Sequence, residues 1–251
     1  MQIKDLPDDA FSAAESTVAF RLFADQDVPT LTVPEQIAAK LGDRILSGAM
    51  PSGNRIGEVE LSDEFRVSRG PVRDALRILE REGLVTLLPR RGAIVTDLSV
   101  TELEELMEIR AGLFEVVIRE MGTQASPEWL QIFASGTERL EQLAIDPDGA
   151  DDYAETTYRL IILCARLAGN QKLHRLLTGL SLQTLRYSKL GLATVERRQR
   201  SASLWRKALN AQREGDVESL VALARTRIFE SSQESVRQMA LRASASVGNS
   251  K

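Results

Sequence analysis

The sequence predicts a mostly α-helical protein with two domains: three helices with a β-hairpin come first, and an all-α bundle of about six helices follows. Two observations predict this class. Aromatic residues make up only 5% of the 251 residues, while Leu, Ala, Glu and Arg are plentiful. Apolar residues recur at helical spacing along most of the chain, and Gly, Pro, Asn or Asp stands at the junctions. A chain of this length can bury a core in each of two moderate domains.

The pattern divides the chain into four segments. Residues 1–30 form an N-terminal arm without a clear partner face, for which disorder and a docked accessory helix both stay open. Residues 31–98 form the small domain, and residues 99–243 form the helical bundle. Residues 244–251 form a polar tail that is expected to fray.

Local signals place the elements of the small domain. Gly48 and Gly83 each follow a helical pattern, at the position where glycine commonly ends a helix. Pro51-Ser52-Gly53-Asn54 is predicted to be a turn. The helices are expected over residues 33–48, 58–65 and 69–82, and the strands over residues 84–88 and 93–95. Three helices followed by a hairpin within about 65 residues indicate a winged helix-turn-helix, which is a DNA-binding fold.

The third of these helices combines an apolar face with a basic stripe. Ser68 is a good N-cap, and Pro71 lies in the first turn, where its missing N–H costs little. Arg69, Arg73 and Arg77 repeat every four residues beside the apolar face. Residues 66–91 carry seven arginines and three acidic residues, a local charge of +4, although the whole chain carries −4. Because solution salt screens distant charges, such a local patch can attract phosphates on an acidic protein.

The second domain is predicted to be helical throughout, and the interior of such a bundle is a natural pocket for a small molecule. Arg110 lies among apolar residues, so an interhelical salt bridge and effector binding are both open roles for it. Trp205 could likewise be a core residue or a pocket wall. The helices are expected over residues 102–121, 127–144, 151–168, 171–190, 195–213 and 217–241.

Several functional classes are disfavoured by what the sequence contains. Its one cysteine, Cys164, lies in an apolar run and is expected to be a core residue rather than a nucleophile. No leader pattern opens the sequence and no apolar run reaches the ~20 residues of a membrane span, so the cytoplasm is the expected location and no membrane partner is expected. With one histidine, no glycine-rich phosphate loop and no evident nucleophile–base pair, the protein is not expected to be an enzyme.

The segments VSRGPVRDAL, LEREGLV and RRGAIV resemble the winged-helix domain of the GntR family of bacterial transcription regulators. The helical segment behind them is similar to the FadR-type effector-binding C-terminal domain, the FCD domain. The resemblance spans roughly residues 33–240 and implies a homodimer that binds double-stranded DNA at a near-palindromic operator. It also implies DNA contacts from the recognition-helix start and the wing tip, at Ser68, Arg69, Gly70, Arg73, Arg90, Arg91 and Gly92.

Many members of this subfamily hold a divalent metal ion with one Asp and three His of the bundle. Alignment on Ala168-Gly169-Asn170 and Gly215-Asp216 puts Thr157, Ile161, Trp205 and Arg227 in those four positions, and a chain with one histidine cannot supply three. The metal is therefore expected to be lost, and no cofactor is expected. The effector pocket is expected to use Arg110, Thr157, Tyr158, Ile161, Trp205 and Arg227, in which an arginine would pair with an anionic effector.

The sequence thus predicts a sequence-specific transcription regulator, with repression as the expected sign, whose operator affinity a small anionic metabolite modulates. The alternative is an architectural DNA-binding protein whose helical domain only dimerises. Metabolites that leave DNA affinity and melting temperature unchanged would favour that alternative.

Overall fold

The computed structural model describes residues 10–15, 31–89, 91–122 and 126–248, and it describes only the backbone of residues 13, 15 and 242–248. Two compact units divide the described residues. One unit lies between residues 31 and 99, and the other combines residues 10–15 with the chain from residue 100 onward.

The first helix, α1 (Ala10–Glu15), belongs to the second unit, and the elements of the first unit follow it along the chain. They agree with the predicted elements to within two residues at each end, except that the short strand β1 was not predicted. The first unit contains α2 (Val33–Leu46), β1 (Arg55–Ile56), α3 (Glu58–Phe65), α4 (Arg69–Arg81), β2 (Val85–Leu88) and β3 (Gly92–Val95).

The three strands form an antiparallel sheet in the order β1-β3-β2. Gly92 opens β3 with a φ of 81°. A Cβ at this position would lie 2.1 Å from the carbonyl oxygen of Ile56 in β1. Only glycine therefore allows the hairpin to approach β1 so closely.

Helix α4 packs against α2 and against strands β2 and β3 to form the core of the first unit. The buried side chains of the two helices recur at helical spacing, with Ile37 and Leu41 from α2 and Val72, Leu76 and Leu79 from α4. This packing fixes α4 so that its opposite face is exposed.

The second unit is a helical bundle. Side-chain caps begin three of its helices: the first-turn N–H groups of Trp129, Leu173 and Arg197 donate to oxygens of the capping Ser, Asn or Thr. Its helices are α5 (Val100–Gly122), α6 (Pro127–Ile145), α7 (Ala150–Leu167), α8 (Gln171–Gly191), α9 (Val195–Glu214) and α10 (Val217–Gly248).

Helix α10 is longer than predicted, because it continues to Gly248 through most of the segment expected to be a polar tail. Local sequence gives no stop there, since the small residues of this segment tolerate a helix. None of the described helices is both long enough and apolar enough to cross a bilayer.

Helix α1 docks on α6 and α7 of the bundle. Phe11 is fully buried, and its backbone N–H donates to Ser135 Oγ at 2.8 Å. The space for its ring exists because residue 136 is glycine: a Cβ there would lie 2.9 Å from the ring of Phe11 and 2.6 Å from Leu160. Residues 10–15 thus follow the docked-helix alternative, and the rest of the predicted arm lies outside the described residues.

Candidate nucleic-acid interface and interior pocket

Helices α3 and α4 are joined by a tight turn. Arg66 caps the end of α3 in the left-handed region, with a φ of 54°, and the Val67 N–H donates to the Ser62 carbonyl oxygen at 3.0 Å. Ser68 then occupies the N-cap position of α4 in extended conformation, as predicted, but its hydroxyl makes no capping hydrogen bond. The exposed hydroxyl and the first N–H groups of α4 are therefore open to an acceptor such as a phosphate.

The exposed face of α4 carries the predicted basic stripe. Ser68, Arg69, Gly70, Arg73 and Arg77 are all exposed, whereas the apolar side chains of the same helix are buried. Arg77 Nη1 lies 3.4 Å from Asp74 Oδ1, within its own helix. Arg69 and Gly70 occupy the first turn, so they are the residues of α4 nearest its N-terminus.

Arg73 makes an ion pair with the preceding helix. Its Nε lies 2.8 Å from Glu58 Oε2 at the start of α3, and the arginine side chain stays 57% exposed. A groove of about 240 Å³ lies beside this pair, between α4 and the hairpin, with Leu87, Leu88 and Gly92 on its far wall. Arg73 is thus held at the edge of a concave surface, and the sequence did not predict its partner.

The wing is only partly as predicted. Arg91 is exposed in the turn, and its N–H donates to the Leu88 carbonyl oxygen at 3.0 Å. Arg90 lies outside the described residues. Gly92, also expected among the DNA contacts, is buried, because its backbone packs against Ile56.

A small interior cavity, which we call the bundle pocket, lies in the second unit. Its volume is about 20 Å³, which is space for about one water molecule. All six residues predicted for an effector pocket are buried, but only Trp205 and Arg227 line this cavity. Arg110, Thr157, Tyr158 and Ile161 do not line it. The other lining residues are Phe114, Ile118, Met121, Trp129, Phe133, Cys164, Leu204, Ala208, Gln212, Leu220, Leu223 and Ala224.

Arg227 lies with its guanidinium over the ring of Trp205, 3.8 Å from the ring centroid. This is a close cation–π contact, and both residues are buried. Burial, and then the charge of Arg110, lowers the pKa of Arg227 to about 9. Its Nη2 atom is buried without a hydrogen-bond partner. At neutral pH the group therefore remains a buried cation.

Arg110 crosses from α5 to α8. Its Nη1 donates to Thr184 Oγ1 at 2.7 Å and lies 3.5 Å from Ser188 Oγ. The interhelical salt bridge considered for it is thus replaced by hydrogen bonds to hydroxyl groups. Burial lowers the pKa of Arg110 to about 10.

The aromatic wall of the bundle pocket was missed by sequence reasoning. Trp129 stacks on Phe133 with their ring centroids 5.2 Å apart, and Phe133 meets Trp205 edge to face at 5.8 Å. The spacing of the first two residues is ordinary for a helix core, so only their tertiary position marks them. Cys164 also lines the pocket, and its burial, which raises the pKa of its thiol, agrees with the predicted core role.

The four positions that carry metal ligands in related proteins do not fit a metal ion in this chain. Thr157 offers one hydroxyl and Ile161 offers no donor atom, while Trp205 and Arg227 present N–H groups rather than lone pairs. Within the described ranges, no group of three or more His, Cys, Asp or Glu side chains is placed to hold a metal. A buried guanidinium at this point would also repel a cation.

Comparison with known proteins gives matches for both units. Residues 34–95 match the family of bacterial regulatory proteins, gntR family, and residues 105–229 match the FCD domain. The chain is 33% identical over 146 residues to the HTH-type transcriptional regulator YdhC of Bacillus subtilis, covering 58% of this chain and 59% of that protein. It is also 33% identical over 119 residues to the gluconate operon transcriptional repressor of Bacillus licheniformis, covering 47% of this chain and 48% of the repressor. The chain thus spans between about half and three fifths of these relatives.

Among solved structures, E. coli McbR/YncC has the same fold, with a TM-score of 0.67 at 17% identity, over 85% of this chain and 100% of that one. The two family matches run from residue 34 to residue 229 and break between residues 95 and 105, where the first unit ends and the second begins. The chain therefore has a gntR-family HTH domain followed by an FCD domain.

Proposed function

We propose that the protein is a homodimeric transcription regulator that binds a near-palindromic DNA operator and changes its operator affinity when a small anionic effector binds in the bundle. The observation that carries this proposal is the exposed basic face of α4, which begins at an uncapped helix N-terminus. In a helix-turn-helix, this end of the second helix enters the major groove.

Each basic residue has a distinct role in this proposal. Arg69 and Arg73 read base edges, because an arginine fork can donate to O6 and N7 of guanine, which is worth about 1–3 kcal/mol of discrimination. The Ser68 hydroxyl and the N–H of Gly70 bind a phosphate and so fix the register of α4. Arg91, together with Arg90 of the wing, contacts the DNA backbone or the minor groove.

Repression is the proposed sign of regulation. It is supported by relatives whose names describe repressors, including the gluconate operon transcriptional repressor of Bacillus licheniformis. Two protomers would present two copies of α4 to successive half-sites, and a dimer therefore matches a near-palindromic operator. The effector must bind the free and DNA-bound forms with different affinity, with a coupling of typically about 1–3 kcal/mol.

The experiment is a DNA-binding titration of the full chain with fragments of its own promoter region. We expect Arg73→Ala and Arg69→Ala to lose the preference for the operator over unrelated DNA while the fold is kept. Arg81→Ala is the matched control, because Arg81 is exposed at the opposite end of the same helix. Equal operator preference in all three variants would contradict the placement of α4 in the groove.

The closed bundle pocket favours a second candidate, in which the helical domain only dimerises and the protein is architectural. A cavity of about 20 Å³ has no room for a metabolite without rearrangement. The two candidates differ in one measurement: a regulator changes its operator affinity with some small molecule, whereas an architectural protein does not.

A further inference from the structure

The interior of the bundle contains hydrogen-bond donors that have no acceptor. Four of these groups can only donate: Nε of Arg110, the indole nitrogens of Trp129 and Trp205, and Nη2 of Arg227. The Thr157 hydroxyl, also on the interior face of α7, is without a partner as well. An unsatisfied buried donor costs about 1–3 kcal/mol, so several of them in one region indicate an acceptor that binds there.

The two arginines also lack a counter-charge. Neither Arg110 nor Arg227 is within ion-pair distance of any Asp or Glu in the described part of the chain, and each is almost fully buried. Arg198 is equally buried, but its Nη1 donates to the carbonyl oxygens of Leu192 and Ala193 at 3.2 and 2.8 Å. Arg198 thus has the backbone acceptors of a structural arginine, whereas Arg227 has none.

We propose that Arg227, on the wall of the bundle pocket, forms a metal-independent site for the carboxylate of a small organic acid. This deepens the proposed function, on which it rests, by naming the effector class and its anchor. The buried guanidinium of Arg227 supplies the positive charge that a site without a metal ion needs in order to bind an anion. A carboxylate offers acceptors only and can take two parallel bonds from one guanidinium.

The lining of the bundle pocket indicates the rest of the ligand. Apart from Arg227 and Gln212, its walls are aliphatic, aromatic or sulfur-containing side chains. An acid with an apolar body therefore fits this lining better than a sugar acid with many hydroxyl groups, which would leave its own polar groups unpaired. The closed cavity must widen for entry, and the unbranched Met121 and Gln212 on its wall are side chains that can change rotamer.

The test is the thermal stability of the full chain in acetate, butyrate or benzoate, compared with chloride at equal ionic strength, with and without EDTA. We expect at least one of these carboxylates to raise Tm saturably, by about 3–6 °C at a tenfold excess over its Kd. EDTA should not change this rise, because no metal takes part.

Two variants assign the effect to Arg227. Arg227→Met should abolish the increase in Tm that the carboxylate causes. It should also raise Tm in chloride, because it removes an unpaired buried charge and keeps an apolar group on Trp205. Arg225→Met is the matched control: Arg225 lies two residues earlier on α10, is exposed and pairs with Glu115 at 2.9 Å. In this control variant, the carboxylate should still raise Tm.

Three results would overturn the inference: no carboxylate exceeds chloride, EDTA removes the effect, or Arg227→Met keeps it. Arg227→Gln, which keeps hydrogen-bond donors without the charge, is a second variant in which a weakened carboxylate response is expected, should Arg227→Met fold poorly. Operator binding of the wild-type protein is measured in parallel. Intact operator binding with no carboxylate response would refute this site alone, while absent operator binding would refute the proposed function.

Discussion

Arg73 is held by Glu58 in the free protein, at an Nε–Oε2 distance of 2.8 Å. An exposed pair of this kind contributes about 0–1 kcal/mol, so DNA can compete for the arginine at little cost. The carboxylate would nevertheless remain beside the DNA phosphates and repel them. If Arg73 contacts DNA as proposed, Glu58 would limit the affinity that Arg73 contributes and would favour sites where Arg73 gains a base contact.

From this we expect Glu58→Gln to tighten binding to unrelated DNA by about two- to fivefold at low salt and to reduce operator preference. Fluorescence anisotropy titrations with operator and unrelated fragments measure both quantities. Glu60→Gln is the control, because it removes one exposed charge from the same first turn of α3. If the two variants behave alike, the ion pair has no specific role.

The stability of the protein should depend on the titration of Arg227. Burial lowers the pKa of this group to about 9 in the folded chain from 12.5, so above pH 9 the folded state releases a proton that the unfolded state retains. Stability then rises with pH, because the unfolded state binds more protons. The penalty of the buried charge is fully present below pH 9 and is relieved above it.

Consequently, the excess Tm of Arg227→Met over wild type in chloride should be constant from pH 7 to 8 and should shrink from pH 9 to 10.5. Differential scanning calorimetry of both proteins at each pH measures the difference in Tm. Ionisable groups that both proteins contain contribute equally to the two Tm values, so they cancel in this difference. A difference in Tm that grows with pH would contradict the expected rise in the stability of the wild-type protein with pH.

At the scale of elements, α4 depends on its buried face for its position. Leu76 is buried between α4 and the rest of the first unit, and truncation to alanine removes a core side chain at a cost of about 2–5 kcal/mol. We expect Leu76→Ala to lower the stability of the winged-helix unit by that amount in urea denaturation. Arg77→Ala, at the adjacent exposed position, should cost less than about 0.5 kcal/mol.

Helix α1 is too short to be stable alone, so its structure depends on docking. Phe11→Ala removes the buried ring, a change that costs about 3–5 kcal/mol in a core, and it should release residues 10–15 from α6. Hydrogen exchange should then show lost protection in this segment. Gly136→Val should give the same result from the other side, because its side chain would occupy the space of the ring.

Phe229→Ala is the control for this experiment, since Phe229 is 61% exposed on α10. Protection of residues 10–15 that survives both Phe11→Ala and Gly136→Val would show that the ring does not hold α1.

For the whole molecule, the distribution of charge matters more than its sum. The chain carries −4, yet residues 66–91 carry +4, and the exposed arginines of this region lie on one helix and in two turns. Operator affinity should therefore fall steeply with salt, by about 10³–10⁵ between 50 and 200 mM if a dimer makes 6–10 phosphate contacts. Arg91→Ala should reduce the slope of log K against log salt by about 2 per dimer, one contact from each wing.

Anisotropy titrations over this salt range measure the slope, with Arg213→Ala, an exposed arginine of the second unit, as the control. If Arg91→Ala leaves the slope of log K against log salt unchanged, Arg91 of the wing does not contact a DNA phosphate.

The amino-acid sequence alone was enough to predict the helices from α2 to α10, their order and the basic stripe of α4. Its local signals suffice for these features, because a helix depends on neighbouring residues: Gly83 ends α4, and the side chains of Asn170 and Thr194 cap α8 and α9. The basic stripe follows from the same periodicity.

Other features depend on residues that lie far apart in the chain, and these features are visible only in the folded structure. Strand β1 has two residues and exists through its pairing with β3. Helix α1 docks where Gly136, more than a hundred residues away, leaves space for the ring of Phe11. The partner of Arg73 and the missing partners of Arg227 are likewise invisible in local sequence, because a counter-charge is defined by distance in space rather than along the chain.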